Sequence, residues 1–237
     1  MAFLVFIFPE GVQVPQDAIS EIIIMAVFLF AFFVGFFTTR QNDRYTSIAE
    51  YIAERDGAFS FLYRVSFLVP RIQNEVREII RNHYKKILDN NDWAYHEFHT
   101  STTITELTKS FGSLADKEIE GQAKVLASYV MIWDTTLQLQ KLRKKIILLC
   151  HEKLILSQWL LVFILAAITV FSLNLLHAES FMVDLFKLIF TASVFLIIIL
   201  LRQLDNLSIF GSGFSKNIAN DVLRILDEVD EKESLIR

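Results

Sequence analysis

The apolar stretches at residues 22–37, 154–176 and 181–201 constrain this chain more than any other feature of its sequence. A hydrocarbon core about 30 Å thick is crossed by roughly 20 helical residues, so the second and third stretches are long enough as they stand. The first reaches that length by recruiting Ala18 and Ile19 before it and Thr38 and Thr39 after it. Threonine is tolerated there because its hydroxyl bonds back to its own helix. In a soluble protein such runs would be buried core helices, but the rest of this chain is too little polar surface to wrap three of them. The expected fold is all-α, a polytopic membrane protein with three transmembrane helices and a long helical cytoplasmic region.

Basic residues give the expected orientation. No Lys or Arg precedes the first stretch, and none lies between Asn174 and Ser180. Arg40 and Arg44 follow the first stretch; Lys141, Arg143, Lys144, Lys145 and Lys153 precede the second; Arg202 follows the third. Such a bias belongs to the cytoplasm, which places the amino terminus outside and the carboxy terminus inside a plasma or inner membrane. The expected divisions are an outer segment 1–17, a span 18–39, a cytoplasmic region 40–153, a span 154–176, an outer hairpin 177–180, a span 181–201 and a cytoplasmic helix and tail 202–237. Residues 1–8 are apolar but too short to span, and no basic region or small-residue cleavage site accompanies them to make a signal peptide. Pro9, Glu10 and Gly11 separate them from the first span.

The 40–153 region reads as helical. Ile72, Val76, Ile79, Ile80, His83, Tyr84 and Ile87 recur at spacings of three and four and draw one stripe on a helix beginning near Pro70. Asp89, Asn90, Asn91 and Asp92 form the turn that stops it before Trp93. Ile119, Ala123, Leu126, Val130, Trp133 and Leu137 draw a second stripe. With no Pro or Gly between Gln122 and the second span, that helix is expected to run straight into the membrane. Ile48, Ile52, Phe59 and Leu62 continue a stripe from the first span, giving long helices with shorter ones packed against them.

Composition excludes more than it assigns. A net charge of −4 removes the electrostatic basis for nucleic-acid binding. A single cysteine, Cys150, excludes an intrachain disulfide and any multi-cysteine zinc site. His96, Glu97 and His99 form H-E-x-H, one residue short of the zinc-protease helix that turns two histidines toward one metal, and they read as a polar segment after Trp93. Gly211, Ser212 and Gly213 lack the spacing of a nucleophile elbow and read as a turn. No phosphate-binding glycine loop is present. The sequence thus names no catalytic, metal or cofactor residues, and the chain is not expected to be an enzyme.

Residues near the membrane are more informative. Asp184 and Lys187 stand three apart at the outer end of the third span and can pair on one helix face. Lys187 reads as a snorkelling anchor or as the lining of a polar path. Arg202 and Asp205 repeat the spacing at the inner end, as interfacial anchors. Phe28, Phe32 and Phe36 fall four apart on one face of the first span, with Phe33 and Phe37 in an adjacent row. Such a row is either packed or lipid-facing bulk, or a constriction that narrows a pore by excluding water.

Four segments in order resemble the bestrophin-like membrane family: residues 48–70, 75–94, 142–171 and 195–211. The likeness covers most of residues 40–215. It lies in Leu62, Tyr63 and Arg64 before Pro70, the helix of Tyr84 leading to Trp93, a basic run before a Trp-containing span, and Leu204 with Asp205 after the last span. Two departures stand out: one clear span precedes the cytoplasmic region where relatives usually carry two, and Asn206 and Leu207 follow the Leu-Asp pair where a Pro is common. The resemblance implies an oligomeric ion channel in which several subunits surround one pore. Its expected partners are membrane lipid, further copies of itself and inorganic ions, with no nucleic acid. The alternative is a non-conducting scaffold or sensor acting through its cytoplasmic helices.

Overall fold

The computed structural model describes residues 16–99, 102–115, 123–175 and 181–234. Every element among them is a helix: α1 (Gln16–Ser66), α2 (Pro70–Asn90), α3 (Tyr95–Phe98), α4 (Thr103–Ala115), α5 (Ala123–His151), α6 (Leu156–Leu175), α7 (Phe181–Asp205) and α8 (Ser212–Ser234). Three of them, α1, α6 and α7, contain stretches long and apolar enough to cross a membrane. Residues 1–15 of the expected outer segment, the hairpin and Ile119 lie outside the described residues, while Gln16 and Asp17 already belong to α1. The chain divides into two compact units, Met1–Asn42 with Lys153–Asn206, and Asp43–Glu152 with Leu207–Arg237.

The first unit is built on one seam. Phe30, Val34 and Phe37 of α1 stand a helical turn apart and are buried with Leu154, Val162, Leu165, Ala166, Val194 and Leu201. On α7 only Val194, Leu201, Leu204 and Asp205 are buried. Most of its apolar side chains, Phe186, Leu188, Phe195 and Leu196 among them, face outward. In water such a surface would be very unfavourable; in hydrocarbon, or against another helix, it is not.

The second unit is a helical bundle around α2. Pro70 occupies the first helical turn, where its missing N–H costs nothing. All seven residues of its predicted stripe are buried. The helix ends in a Schellman motif: Asn91 adopts the left-handed conformation at φ 50° and ψ 37°, its N–H reaches the Leu88 carbonyl at 3.1 Å, and Asp92 N–H reaches Ile87 at 3.2 Å. The α2 stripe packs with Phe59, Leu62 and Tyr63 of α1, Leu107 and Phe111 of α4, Ile132 and Leu139 of α5, and Ala219, Val222 and Leu226 of α8. Ile48 and Ile52 are buried in a neighbouring cluster with Trp93, Ile146, Cys150, Leu207 and Phe210.

Three expectations need correction. On α5, Val130, Trp133 and Leu137 are 60%, 51% and 43% exposed, and the buried face carries Ser128, Ile132, Thr135, Thr136, Leu139, Leu142, Ile146 and Cys150. The two threonine hydroxyls donate to the carbonyls of Met131 and Ile132 at 2.7 and 2.8 Å, so polar residues are accommodated on the inner face. Second, α5 does not run into α6: residues 152–155 interrupt the helix. Arg44 closes the end of α5 by donating from Nε to the Leu149 carbonyl at 2.6 Å and from Nη2 to Cys150 at 3.0 Å, a cation on the negative end of the helix dipole. The start of α6 is fixed by Gln158, whose Oε1 accepts from Ile155 N–H at 3.1 Å in half of a capping box. Third, Ser212 already belongs to α8, so the turn before it is formed by residues 206–210 and Gly211.

Candidate functional site

Two arrangements combine unusual exposure or burial with definite chemistry, one in each unit. In the first unit, Phe30, Val34 and Phe37 take the inner face of α1, which turns Phe28, Phe32 and Phe36 outward at 65%, 60% and 57% exposure. Phe28 and Phe32 stack with ring centroids 6.4 Å apart. Lys187 sits on α7 among Leu173 of α6 and Val183, Phe186, Phe190 and Ser193 of its own helix, beside a cavity of about 330 Å³. Its Nζ lies 3.5 Å from Asp184, the pairing that the spacing predicts. Arg202 is exposed. Asp205 has a different environment: it is buried, accepts from the Leu154 amide at 2.7 Å, and receives Trp159 Nε1 at 3.3 Å.

The second arrangement was not legible as a site. Arg55, on the inner face of α1, donates from Nη1 to Glu97 Oε1 at 2.8 Å and from Nε to Asp56 Oδ1 at 3.2 Å. The side chains of Arg55 and Glu97 are only 4% and 1% exposed. Tyr84 of α2 donates its hydroxyl to Asp56 at 2.6 Å. Beside them the rings of His83 and His96 stack with centroids 3.7 Å apart and planes at 11°. His96 Nε2 lies 2.9 Å from the His83 carbonyl; that oxygen only accepts, so Nε2 carries the hydrogen. Arg143 of α5 clamps the His96 carbonyl with Nη2 at 3.0 Å and Nε at 3.3 Å. Thr103, at the start of α4, meets His83 Nδ1 at 3.1 Å.

Burial governs the charges. It works against the Arg55 cation, yet Asp56 and Glu97 outweigh it and hold the guanidinium above its ordinary pKa. Burial lifts the Asp56 and Glu97 carboxyls against the pull of Arg55. It pushes His83 well below the usual histidine value, helped by His96, Arg55, Lys86 and Arg143. His96 is pushed down to about 4, chiefly by burial. The two rings are therefore neutral at pH 7.

The polar segment expected after Trp93 is thus only partly polar in its surroundings: His96 and Glu97 are buried, while His99 is exposed and bonds back to Tyr95. No group of three or more His, Cys, Asp or Glu side chains among the described residues is arranged to hold a metal. The available sequence signals were His83 and Tyr84, polar residues within an apolar stripe, and His96 with Glu97 in the H-E-x-H run; nothing in the pattern marked Arg55 or Asp56. What the cluster does is tie α1, α2, α3 and α5 together through buried charge-assisted bonds. No protein-family model matches the chain, and neither any curated protein nor any solved structure matches it.

Proposed function

We propose that several copies of this chain assemble in a plasma or inner membrane as an ion channel of the bestrophin kind. The observation that supports this reading best is the outward row of Phe28, Phe32 and Phe36 on α1, opposite the face that packs with α6 and α7. Turned inward in a ring of subunits, such a row makes a constriction that holds back ions by dewetting. Three spans of one copy are too few to surround a hydrated path, so conduction requires assembly. The basic residues flanking the spans favour an external amino terminus, with the 40–153 region and the carboxy-terminal helix in the cytoplasm.

The test compares two substitutions in liposomes that hold purified protein. Phe32→Ser rehydrates the row and should raise ion flux several-fold. Leu29→Ser strikes a residue packed against the first unit's core and should lower the yield of folded protein without opening a leak. Equal flux from wild type and Phe32→Ser, with assembly intact, removes the row from the permeation path. The exposed Val130, Trp133 and Leu137 of α5 favour a second reading, a non-conducting scaffold whose bundle binds a partner. An assembly that stays silent in wild type and in Phe32→Ser would select it.

A further inference from the structure

Three buried side-chain atoms have no hydrogen-bond partner among the described residues and belong to residues lining a single cavity: Arg55 Nη2, His83 Nε2 and Glu97 Oε2. Leaving any one of them unsatisfied in a low-dielectric interior is costly, and three together call for a shared partner. The cavity has a volume of about 20 Å³ and is also lined by Phe59, His96, Thr103, Ile104, Leu139 and Arg143. A water needs roughly 10–15 Å³, so there is room for one.

Charge narrows the ligand class further. A metal cation entering the cavity would meet Arg55 and Arg143 and find, among the unpartnered atoms, one carboxylate oxygen and one ring nitrogen. An anion would meet Glu97. The unpartnered atoms are a donor, an acceptor and a ring nitrogen that can be either, which suits a neutral molecule that both donates and accepts.

We propose that this cavity is a built site for one water molecule, which accepts from Arg55 Nη2 and donates to Glu97 Oε2 and His83 Nε2. Three bonds are the usual complement of a buried water. The arrangement fixes a proton that neither ring alone determines. His83 Nε2 must be bare to accept, so its hydrogen sits on Nδ1 and is donated to Thr103 Oγ1 at 3.1 Å. His96 carries its hydrogen on Nε2, toward the His83 carbonyl. Two stacked, neutral imidazoles therefore hold opposite tautomers. The ionisable side chains around them are Arg55 and Asp56 of α1, Tyr84 and Lys86 of α2, Tyr95 and Glu97 of α3, and Arg143 of α5.

The test is nitrogen-15 NMR of the full-length protein in detergent at pH 8, labelled at histidine, with His99, His151 and His177 replaced by Gln. Two imidazoles remain. One ring should be protonated at Nδ1 and the other at Nε2, and Thr103→Val should shift the Nδ1-protonated ring selectively. Two rings of the same tautomer, or a charged ring, would overturn the proposal. A density map of the unsubstituted protein gives a second readout that needs no variant. A peak within hydrogen-bond distance of all three atoms is expected, about 3 Å from each. Ordered side chains around a cavity with no peak would overturn it.

Discussion

Arg55 and Glu97 form an ion pair almost wholly withdrawn from water, and such pairs respond asymmetrically to mutation. Removing one partner strands the other, which typically costs about 3–5 kcal/mol, whereas replacing both by apolar side chains is often close to neutral. Arg55→Met leaves Glu97 buried without its cation and should lower the free energy of denaturant unfolding by an amount in that range. Adding Glu97→Leu should recover part of the loss, since Asp56 keeps its bond from Tyr84. A double variant as unstable as the sum of the singles would contradict the pairing. The histidines carry a separate signature. In the fold both are neutral, with His96 pushed down to about 4, whereas an unfolded histidine titrates near 6.5. Above pH 6.5 their contribution is complete. Below it the unfolded chain takes up protons that the fold refuses, and stability should fall by about 1.4 kcal/mol per pH unit for each ring. The lifted Asp56 and Glu97 carboxyls act in the opposite sense on acidification, because the fold takes up those protons first. Comparing wild type with His96→Gln separates the two effects. Between pH 6.5 and 5 the wild type should lose the more stability, and parallel profiles would contradict a neutral buried His96. The ion pair was not legible in the sequence: Arg55 and Glu97 are 42 residues apart, and no local pattern joins them.

At the scale of elements, hydropathy served where one face of a helix is plainly apolar and failed where two faces compete. The stripe on α2 was readable because its solvent side carries Arg71, Glu75, Glu78, Lys85 and Lys86, and Pro70 and Asn91 mark its ends. On α5, Val130, Trp133 and Leu137 are as apolar as Ile132, Leu139 and Ile146, so the pattern could not tell the outer face from the inner. The break at residues 152–155 was invisible for another reason. It contains no Pro or Gly, and the buried Leu154 amide within it is satisfied by Asp205, 51 residues away. Asp205 thus acts as a clip on the start of the second apolar helix. Asp205→Ala should strand that amide and Trp159 Nε1, lowering stability by about 1–3 kcal/mol for the amide alone. Thermal unfolding followed through tryptophan fluorescence measures it; an unchanged midpoint would show that the carboxylate does not hold the segment.

Across the whole molecule, three apolar helices were legible from length and composition, because a run of some 20 apolar residues has few alternative explanations. Whether the outward faces meet lipid or another helix was not, since a face built for either carries the same residues. The proposed channel resolves that ambiguity in one direction, by placing Phe28, Phe32 and Phe36 on the path and leaving the outward surface of α7 to lipid or neighbours. The measurement that tests it most directly is single-channel recording in planar bilayers, on a preparation whose protein mass by light scattering is a multiple of 27.4 kDa. The account predicts discrete openings from the wild type and larger or longer ones from Phe32→Ser. An oligomer of verified mass that gives no openings in either form would contradict it.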